Sequence, residues 1–178
     1  MREEADSFLC FAYGSNMLTA RLRGRTPSAR VIATGYVVGR RLTFDKVSSD
    51  GSGKCDMESS QEPGSQVHGV LFRIDEAQRA ELDECEGLGK GYETEIVSVV
   101  TPSGVVQALA YVATNKQTGL QPYDWYKAFV VEGAREHELP AEYIGKIEQV
   151  FAKQDLKTSR SKKWWALVKT AEEGRKSL

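Results

Sequence analysis

Four carboxylates crowd the end of a predicted helix in the stretch E-L-D-E-C-E-G, residues 81–87. The helix macrodipole places partial negative charge at this end, so most of these carboxylates are expected to face water. Glu86 differs because it follows Leu82 by four residues, and this spacing places both side chains on one helix face. If Leu82 packs inward, Glu86 leans toward the core, where a carboxyl group is suited to general acid–base catalysis. Structural carboxylates are common, so the spacing alone leaves both a catalytic and a structural interpretation open.

A second candidate is the turn Tyr13-Gly14-Ser15-Asn16, which interrupts an apolar run that starts at Phe8. The pattern predicts a buried strand that ends at this turn, followed by a short helix capped by Asn16. Backbone N–H groups between a strand end and a helix start can bind a carboxylate or a developing oxyanion. Gly14 has no Cβ, so a ligand can approach the main chain closely. On the local sequence alone, an ordinary capped turn is the favoured interpretation.

Other kinds of catalytic or cofactor site find little support in the sequence. The two histidines, His68 and His137, are far apart, and no cluster of His, Cys and Asp has metal-ligand spacing. No phosphate-binding glycine motif is present, and Ser15 lacks the G-x-S-x-G context of a hydrolase nucleophile. We therefore predict neither a metal nor another cofactor.

The elements that must position these residues are predicted from hydrophobic periodicity and from glycine and proline. The acidic helix is expected to begin at Asp75, as a cap with Gln78 three residues on, and to stop at Gly87 in a left-handed conformation. The polar segment 45–66, rich in Ser and Gly, is predicted to be a long surface loop with room for one short strand. Further strands are predicted within residues 31–44, with Gly35 and Gly39 as bends or bulges, and at 8–12, 67–74, 93–100 and 105–114; further helices are predicted at 123–136, 140–151 and beyond 157.

The order of these elements is strands, one helix, more strands, then helices, which favours an α+β fold. We expect a small, mostly antiparallel β-barrel flanked by α-helices, in a single domain over residues 1–178. Residues 155–178 are expected to form a basic C-terminal tail helix, in which Trp164 and Trp165 follow several cationic residues.

The composition is that of an ordinary globular protein. The 178 residues are 40% hydrophobic and 28% charged, and a formal net charge of −1 gives no bulk attraction to nucleic acid or to an anionic membrane. No apolar run approaches the roughly 20 residues that span a bilayer. Residues 1–6 are acidic and lack an apolar signal segment, and the three cysteines are widely spaced, so we expect a reduced, cytoplasmic protein.

Taken together, F-A-Y-G-S-N-M after the first strand and L-D-E-C-E-G with Tyr92 after the acidic helix resemble the γ-glutamylcyclotransferase family. H-G-V-L-F-R-I at residues 68–74 and A-L-A-Y-V-A-T-N at residues 108–115 agree with this resemblance. It covers a core from about residue 8 to residue 150 and leaves the basic tail unexplained.

The resemblance implies a small barrel with a cavity that converts a γ-glutamyl amine into 5-oxoproline and the free amine. It implies Glu86 as the single catalytic acid–base, the turn from Tyr13 to Asn16 as the loop that binds the γ-glutamyl group, and Tyr92 and Tyr111 as residues that line the cavity. The substrate's own α-amine attacks its γ-carbonyl, so neither an enzyme nucleophile nor a metal is required. Holding the two reacting ends together can supply an effective molarity of about 10⁵–10⁸ M.

Two alternatives stay open at this stage. One is a non-catalytic binding or regulatory module of the same fold, although such a module would be expected to lose the glutamate that is present here as Glu86. The other is an interaction protein that uses its basic, Trp-containing tail on single-stranded nucleic acid; we do not expect this, because the net charge provides no wider basic surface. A helix of this kind more often packs on its own domain or on a second subunit, and a homodimer is compatible with the exposed aromatic residues.

The choice of substrate is also open. Free γ-glutamyl amino acids, glutathione, a γ-glutamyl-ε-lysine isopeptide and a γ-glutamylated metabolite all present the same reacting end. They differ in the leaving amine, which we expect to face the segment 45–66 and the helical end of the molecule.

Overall fold

The computed structural model of this chain describes residues 6–177; residues 1–5, which hold most of the acidic N-terminal segment, and residue 178 lie outside the described part. Within it, the strands are β1 (Ser7–Ala12), β2 (Arg30–Val38), β3 (Arg40–Val47), β4 (Gly53–Ser59), β5 (Gln66–Asp75), β6 (Tyr92–Thr101) and β7 (Gly104–Ala113). The α-helices are α1 (Thr19–Arg23), α2 (Arg79–Glu86), α3 (Asp124–Glu136), α4 (Ala141–Glu148) and α5 (Thr158–Lys176).

Five strands close into a barrel in the order β1-β5-β2-β6-β7. Neighbouring strands are antiparallel, except that β1 meets β7 in parallel at Cys10 and Leu109 and thereby closes the barrel. The predicted class, α+β with a mostly antiparallel barrel flanked by helices, is confirmed. The turn between β6 and β7 lies at residues 101–104, where Pro and Gly predict it.

Gly35 and Gly39, the two predicted bends, have different roles. Gly39 has a φ of +70° and turns the chain from β2 into β3, as expected. Gly35 is not a bulge: it pairs in register with Gly69, and the irregularity in β2 lies nearer the start of the strand. A Cβ on Gly35 would lie 2.6 Å from the carbonyl oxygen of Val100, so this glycine lets β6 approach β2 closely.

The prediction for residues 45–66 is wrong in part: the one short strand it allows is present as β4, but the segment is not a surface loop. β3 and β4 pair as a separate two-stranded sheet, and Cys55 and Met57 on β4 are buried. We call this unit, residues 40–59, the β3–β4 hairpin. It is a packed wall of the molecule, and the catalytic candidates described below lie against it.

The turn of this hairpin explains why a polar sequence can be buried there. The Ser52 amide and hydroxyl both donate to Asp50 Oδ1, at 3.0 and 2.6 Å, and Lys54 Nζ donates to Asp50 Oδ2 at 2.9 Å. The polar groups satisfy one another, which removes most of the free-energy cost of taking them out of water. Composition alone cannot reveal this pairing.

The acidic helix starts later than predicted and ends where predicted. Asp75 provides no side-chain cap, and a single 3₁₀ turn at Glu76–Gln78 precedes α2. The Gln78 side chain instead accepts hydrogen bonds from the amide and hydroxyl of Ser28, at 3.1 and 2.8 Å. Gly87 adopts the left-handed conformation with φ 71° and ψ 46°, and its amide donates to the Glu84 carbonyl.

The basic tail forms α5 and packs on its own molecule against α3. The ring of Trp164 lies 5.9 Å from that of Trp125 and 5.7 Å from that of Phe129. At the start of α5, Arg160 binds both carboxylate oxygens of Asp155, at 2.6 and 2.7 Å. In the described part of the chain, no helix is both long and apolar enough to cross a membrane.

Candidate active site

Glu86 lies at the C-terminal end of α2, and its side chain is 15% exposed. Leu82, one turn earlier, is completely buried, so the shared face does point inward as the spacing predicts. Asn16 Nδ2 donates to Glu86 Oε1 at 2.7 Å, and Arg25 Nη1 donates to the same oxygen at 2.5 Å. Arg25 also donates to Asn16 Oδ1 at 3.1 Å, which closes a triangle of three side chains.

The turn after β1 delivers Asn16 to this triangle. Residues 15–17 form a 3₁₀ turn, in which the Met17 amide donates to the Gly14 carbonyl at 3.0 Å. The predicted helix cap by Asn16 is wrong, because its side chain turns toward Glu86 and makes no capping hydrogen bond. Ser15 is buried, and its hydroxyl accepts a hydrogen bond from Arg21 Nε at 3.1 Å.

Gly14 is where the turn meets the β3–β4 hairpin. A Cβ at this position would lie 3.0 Å from the Cβ of Cys55 and 3.5 Å from the hydroxyl of Tyr126. The absence of a side chain therefore allows the turn to approach both the hairpin and α3.

Tyrosine hydroxyls line the space between these elements. Tyr13 donates to the main-chain carbonyl of Tyr111, Tyr111 donates to Asp83 Oδ1 at 2.5 Å, and Tyr92 donates to the carbonyl of Cys55 at 2.6 Å. Burial raises the pKa of the Tyr13 and Tyr92 hydroxyls well above the usual tyrosine value. Burial, and then the hydrogen bond to Asp83, likewise raise the pKa of Tyr111. These hydroxyls are therefore protonated and neutral at physiological pH.

The cavity is small, about 40 Å³, and it brings together every residue that the sequence analysis selected. We call it the Glu86 cavity. Its walls are formed by Cys10, Phe11, Ala12, Tyr13, Gly14, Ser15, Asn16, Leu22, Cys55, Glu86, Tyr92, Tyr111 and Tyr126.

Several residues of the site were missed by the sequence analysis. Arg25 carries no signal of its own, because it is one of three arginines within residues 21–25 and no spacing relates it to Glu86. Asp83 could have been found, since it precedes Glu86 by three residues and so shares its helix face. Cys55 and Tyr126 enter the cavity from the hairpin and from α3 through tertiary packing alone.

The two buried cysteines near the cavity are not nucleophiles. Burial raises the pKa of the Cys10 and Cys55 thiols to about 12, so both are protonated at physiological pH. Among the described residues, no group of three or more His, Cys, Asp or Glu side chains could hold a metal ion.

Comparison with known proteins places these features in a family. The mouse γ-glutamylcyclotransferase is 33% identical over 153 residues, which covers 83% of this chain and 81% of the mouse protein. The human γ-glutamylcyclotransferase is also 33% identical, over 83% of this chain and 80% of its own length. The sequence profile of the AIG2-like family matches residues 66–147.

A solved structure of a γ-glutamyl cyclotransferase superposes with a TM-score of 0.81 at 29% identity, and the match covers 93% of this chain and 99% of that one. The fold and the site thus define a barrel protein of the cyclotransferase class. This chain belongs to the γ-glutamylcyclotransferase family, and the resemblance drawn from its sequence is confirmed.

Proposed function

We propose that this chain converts a γ-glutamyl amine or γ-glutamyl amino acid to 5-oxoproline and the free amine, with Glu86 as the general acid–base. Membership of the γ-glutamylcyclotransferase family supports the reaction. The geometry of the Glu86 cavity supports the assignment of the residues. No observation favours the alternative of a non-catalytic module with the same fold.

The observation that carries the proposal is the way in which Glu86 is held. Asn16 and Arg25 both bind Oε1, so the carboxylate is fixed in orientation, while no protein group among the described residues donates to Oε2. A fixed carboxylate with one free oxygen beside a cavity can take a proton from the substrate's α-ammonium and return one to the departing amine.

The reaction is balanced without any further reagent. The α-nitrogen forms a bond to the γ-carbonyl carbon, and the bond from that carbon to the leaving nitrogen breaks. The α-nitrogen loses two protons in all and the leaving nitrogen gains two, so no net proton is consumed. Glu86 returns to its starting state and can carry these protons one at a time.

The turn from Tyr13 to Asn16 is proposed to hold the γ-glutamyl group. The amides of Ser15 and Asn16 have no protein acceptor among the described residues, so they are free to bind the α-carboxylate or the developing oxyanion. Tyr92 and Tyr111 are proposed to shape the cavity around the substrate with neutral hydroxyls.

The test is release of 5-oxoproline from a panel of γ-glutamyl amines by the wild type, by Glu86→Gln and by Glu84→Gln. Glu84 is an exposed carboxylate on the same helix and serves as the matched control. We expect Glu86→Gln to lower the rate by about 10²-fold or more, as for loss of a general acid–base, and Glu84→Gln to resemble the wild type. An equal rate in Glu86→Gln and the wild type would contradict the proposal.

The remaining expectations concern the domain organisation, location, partners and assembly of the protein. We infer one domain over residues 1–178, a cytoplasmic location, no nucleic-acid partner, and a homodimer as a candidate assembly. The packing of Trp164 against α3 supports the inference on nucleic acid, because that ring is engaged with Trp125 and Phe129. Sedimentation equilibrium of the full chain would determine the assembly.

A further inference from the structure

The C-terminal helix α5 is linked to the turn after β1 by side chains that the proposed reaction does not use. Trp164 of α5 lies over the guanidinium of Arg21, with 4.8 Å between Arg21 Cζ and the centre of the indole ring. The ring of Phe129 on α3 lies 4.5 Å from the same atom. The two rings are nearly perpendicular, at 81°, so the guanidinium lies in the corner between them, at cation–π distance from both.

The same guanidinium binds the turn. Arg21 Nε donates to Ser15 Oγ at 3.1 Å, and Ser15 is buried and lines the Glu86 cavity. Arg21 is not one of the described residues that line the cavity. It can therefore act on a substrate through Ser15 but not by direct contact with the cavity.

The charge on Arg21 makes its hydrogen bond to Ser15 a strong one. Burial, and then the charge of Arg25, lower the pKa of Arg21 to about 10, so the guanidinium remains a cation at physiological pH. Hydrogen bonds from a charged donor are roughly twice as strong as those between neutral groups. Fixing the Ser15 side chain also restricts its main chain, whose amide is one of the two proposed to receive the substrate.

The start of α5 is anchored one helical turn before Trp164. Asp155 is 4% exposed, binds Arg160 through both carboxylate oxygens, and accepts a hydrogen bond from Trp125 Nε1 at 2.8 Å. Trp125 belongs to α3, and its ring lies 5.9 Å from that of Trp164. Because Arg160 and Trp164 are four residues apart on one helix face, this anchor holds the indole over Arg21.

We propose that Trp164 and Arg21 are positioning residues, through which the C-terminal helix orients Ser15 and thereby the turn that holds the γ-glutamyl group. This inference rests on the proposed cyclotransferase function. It gives the basic tail, which the family resemblance leaves unexplained, a role in substrate binding. Glu86 is held by its own partners, so loss of the stack should weaken substrate binding and leave the acid–base group in place.

The test compares Trp164→Ala with Trp165→Ala in the full chain, by release of 5-oxoproline from γ-glutamyl-L-alanine. Both indoles are partly buried on α5, but the stacking contacts of this pair within residues 6–177 all involve Trp164. Trp165→Ala is therefore the matched control for loss of a packed indole. KM and kcat are measured for each variant, and urea denaturation reports the stability of each.

We expect Trp164→Ala to raise KM by about 3- to 30-fold, as for loss of one cation–π contact at a partly desolvated site. Its kcat should stay within about twofold of the wild type, because the interaction lost contributes equally to binding of the substrate and of the transition state. Trp164→Phe should recover part of the loss in KM, since it keeps an aromatic face. Trp165→Ala should keep the wild-type KM, whatever its effect on stability.

A double-mutant cycle tests whether Trp164 acts through Arg21. Arg21→Gln removes the cation and should raise KM by about 10- to 100-fold, since a hydrogen bond from a charged group is lost. In the Arg21→Gln background, Trp164→Ala should raise KM by no more than about a further twofold, because contacting residues that act on Ser15 as one unit are not additive.

Three results would overturn the inference. The first is a wild-type KM in Trp164→Ala. The second is an equal rise of KM in Trp164→Ala and Trp165→Ala, which would indicate a general loosening of α5. The third is full additivity of Trp164→Ala and Arg21→Gln. Each of these leaves the proposed reaction intact, whereas no release of 5-oxoproline by the wild type from any γ-glutamyl substrate would overturn the reaction itself.

Discussion

The Glu86 cavity and a wide groove on the described surface differ in what their polar groups do. The groove lies between the β3–β4 hairpin and α4 and has a volume of about 520 Å³, against about 40 Å³ for the cavity. Two of its cations are paired along the rim: Arg41 binds Glu58 at 2.5 Å, and Lys146 binds Glu142 at 2.9 Å with both side chains mostly exposed. In the cavity, by contrast, buried tyrosine hydroxyls, a carboxylate and the turn from Tyr13 to Asn16 line one small space.

This difference shows that convergence of buried polar groups, rather than volume, marks the candidate site. Exposed ion pairs contribute little free energy and are screened by salt. Buried polar groups must be arranged against one another, and a free carboxylate oxygen among them is available for chemistry. Substitutions near the cavity should therefore affect catalysis or stability more than matched substitutions near the groove.

The largest effect is expected when a core side chain is removed beneath each region. Leu82 under the cavity and Ile147 under the groove are both almost completely buried. Leu82→Ala and Ile147→Ala should each lower the free energy of unfolding by about 2–5 kcal/mol, measured by urea denaturation. Only Leu82→Ala should also lower kcat, because α2 carries Glu86. Equal kcat losses in the two variants would remove the functional distinction between the regions.

The next effect tests the triangle around Glu86. Arg25→Gln should lower kcat for 5-oxoproline release by about 10- to 100-fold, since one hydrogen bond to a charged group contributes about 1.5–3 kcal/mol. Arg25→Lys should restore part of the loss, because it keeps the charge without the fork of donors. Arg41→Gln, in the groove, should leave kcat unchanged. If Arg25→Gln has wild-type kcat, the orientation of Glu86 does not depend on the guanidinium.

The same contrast explains which features the sequence could predict. The inward face shared by Leu82 and Glu86 and the helix end at Gly87 are predictable because helix periodicity and a left-handed glycine are local properties. The burial of the β3–β4 hairpin is not predictable in this way, because it depends on the mutual pairing of Asp50, Ser52 and Lys54, which composition does not encode. The local sequence predicts Asn16 as a helix cap because its actual partner, Glu86, is 70 residues away and leaves no local signal. Long-range partners of this kind are set by the barrel topology.

A smaller effect concerns the hairpin turn and its dependence on pH. Burial alone would raise the pKa of Asp50, but hydrogen bonds from Ser52 and Lys54 outweigh it and lower the pKa to about 2. A carboxylate whose pKa is lower in the folded protein stabilises the fold at pH values above its pKa in the unfolded chain, which is about 4. This contribution to stability disappears as the pH falls toward about 2. Asp50→Asn should therefore cost about 1–2 kcal/mol at neutral pH, after allowance for solvent screening, and nothing near pH 2.

The control for this prediction is Glu142, which lines the groove. Glu142 is exposed, and its pKa is lowered only by the neighbouring Lys146. Glu142→Gln should leave the pH dependence of stability close to that of the wild type, as followed by thermal unfolding between pH 2 and pH 7. A difference between wild type and Asp50→Asn that persists unchanged at low pH would show that the asparagine alters packing rather than charge.

The smallest effect distinguishes a buried tyrosine of the cavity from a partly buried tyrosine of the groove. Tyr111 in the cavity donates to Asp83 at 2.5 Å, whereas Tyr143 in the groove makes only a long contact of 3.4 Å with the carbonyl of His68. Tyr111→Phe keeps the ring and leaves Asp83 with Arg79, 3.7 Å away, as its remaining partner. A hydrogen bond to a charged group contributes about 1.5–3 kcal/mol. We expect kcat/KM to fall by only about 2- to 10-fold, because Asp83 acts on the site through position and only part of that free energy is lost in the transition state. Tyr143→Phe should leave kcat/KM unchanged, and a larger loss in Tyr143→Phe than in Tyr111→Phe would mean that the substrate extends into the groove.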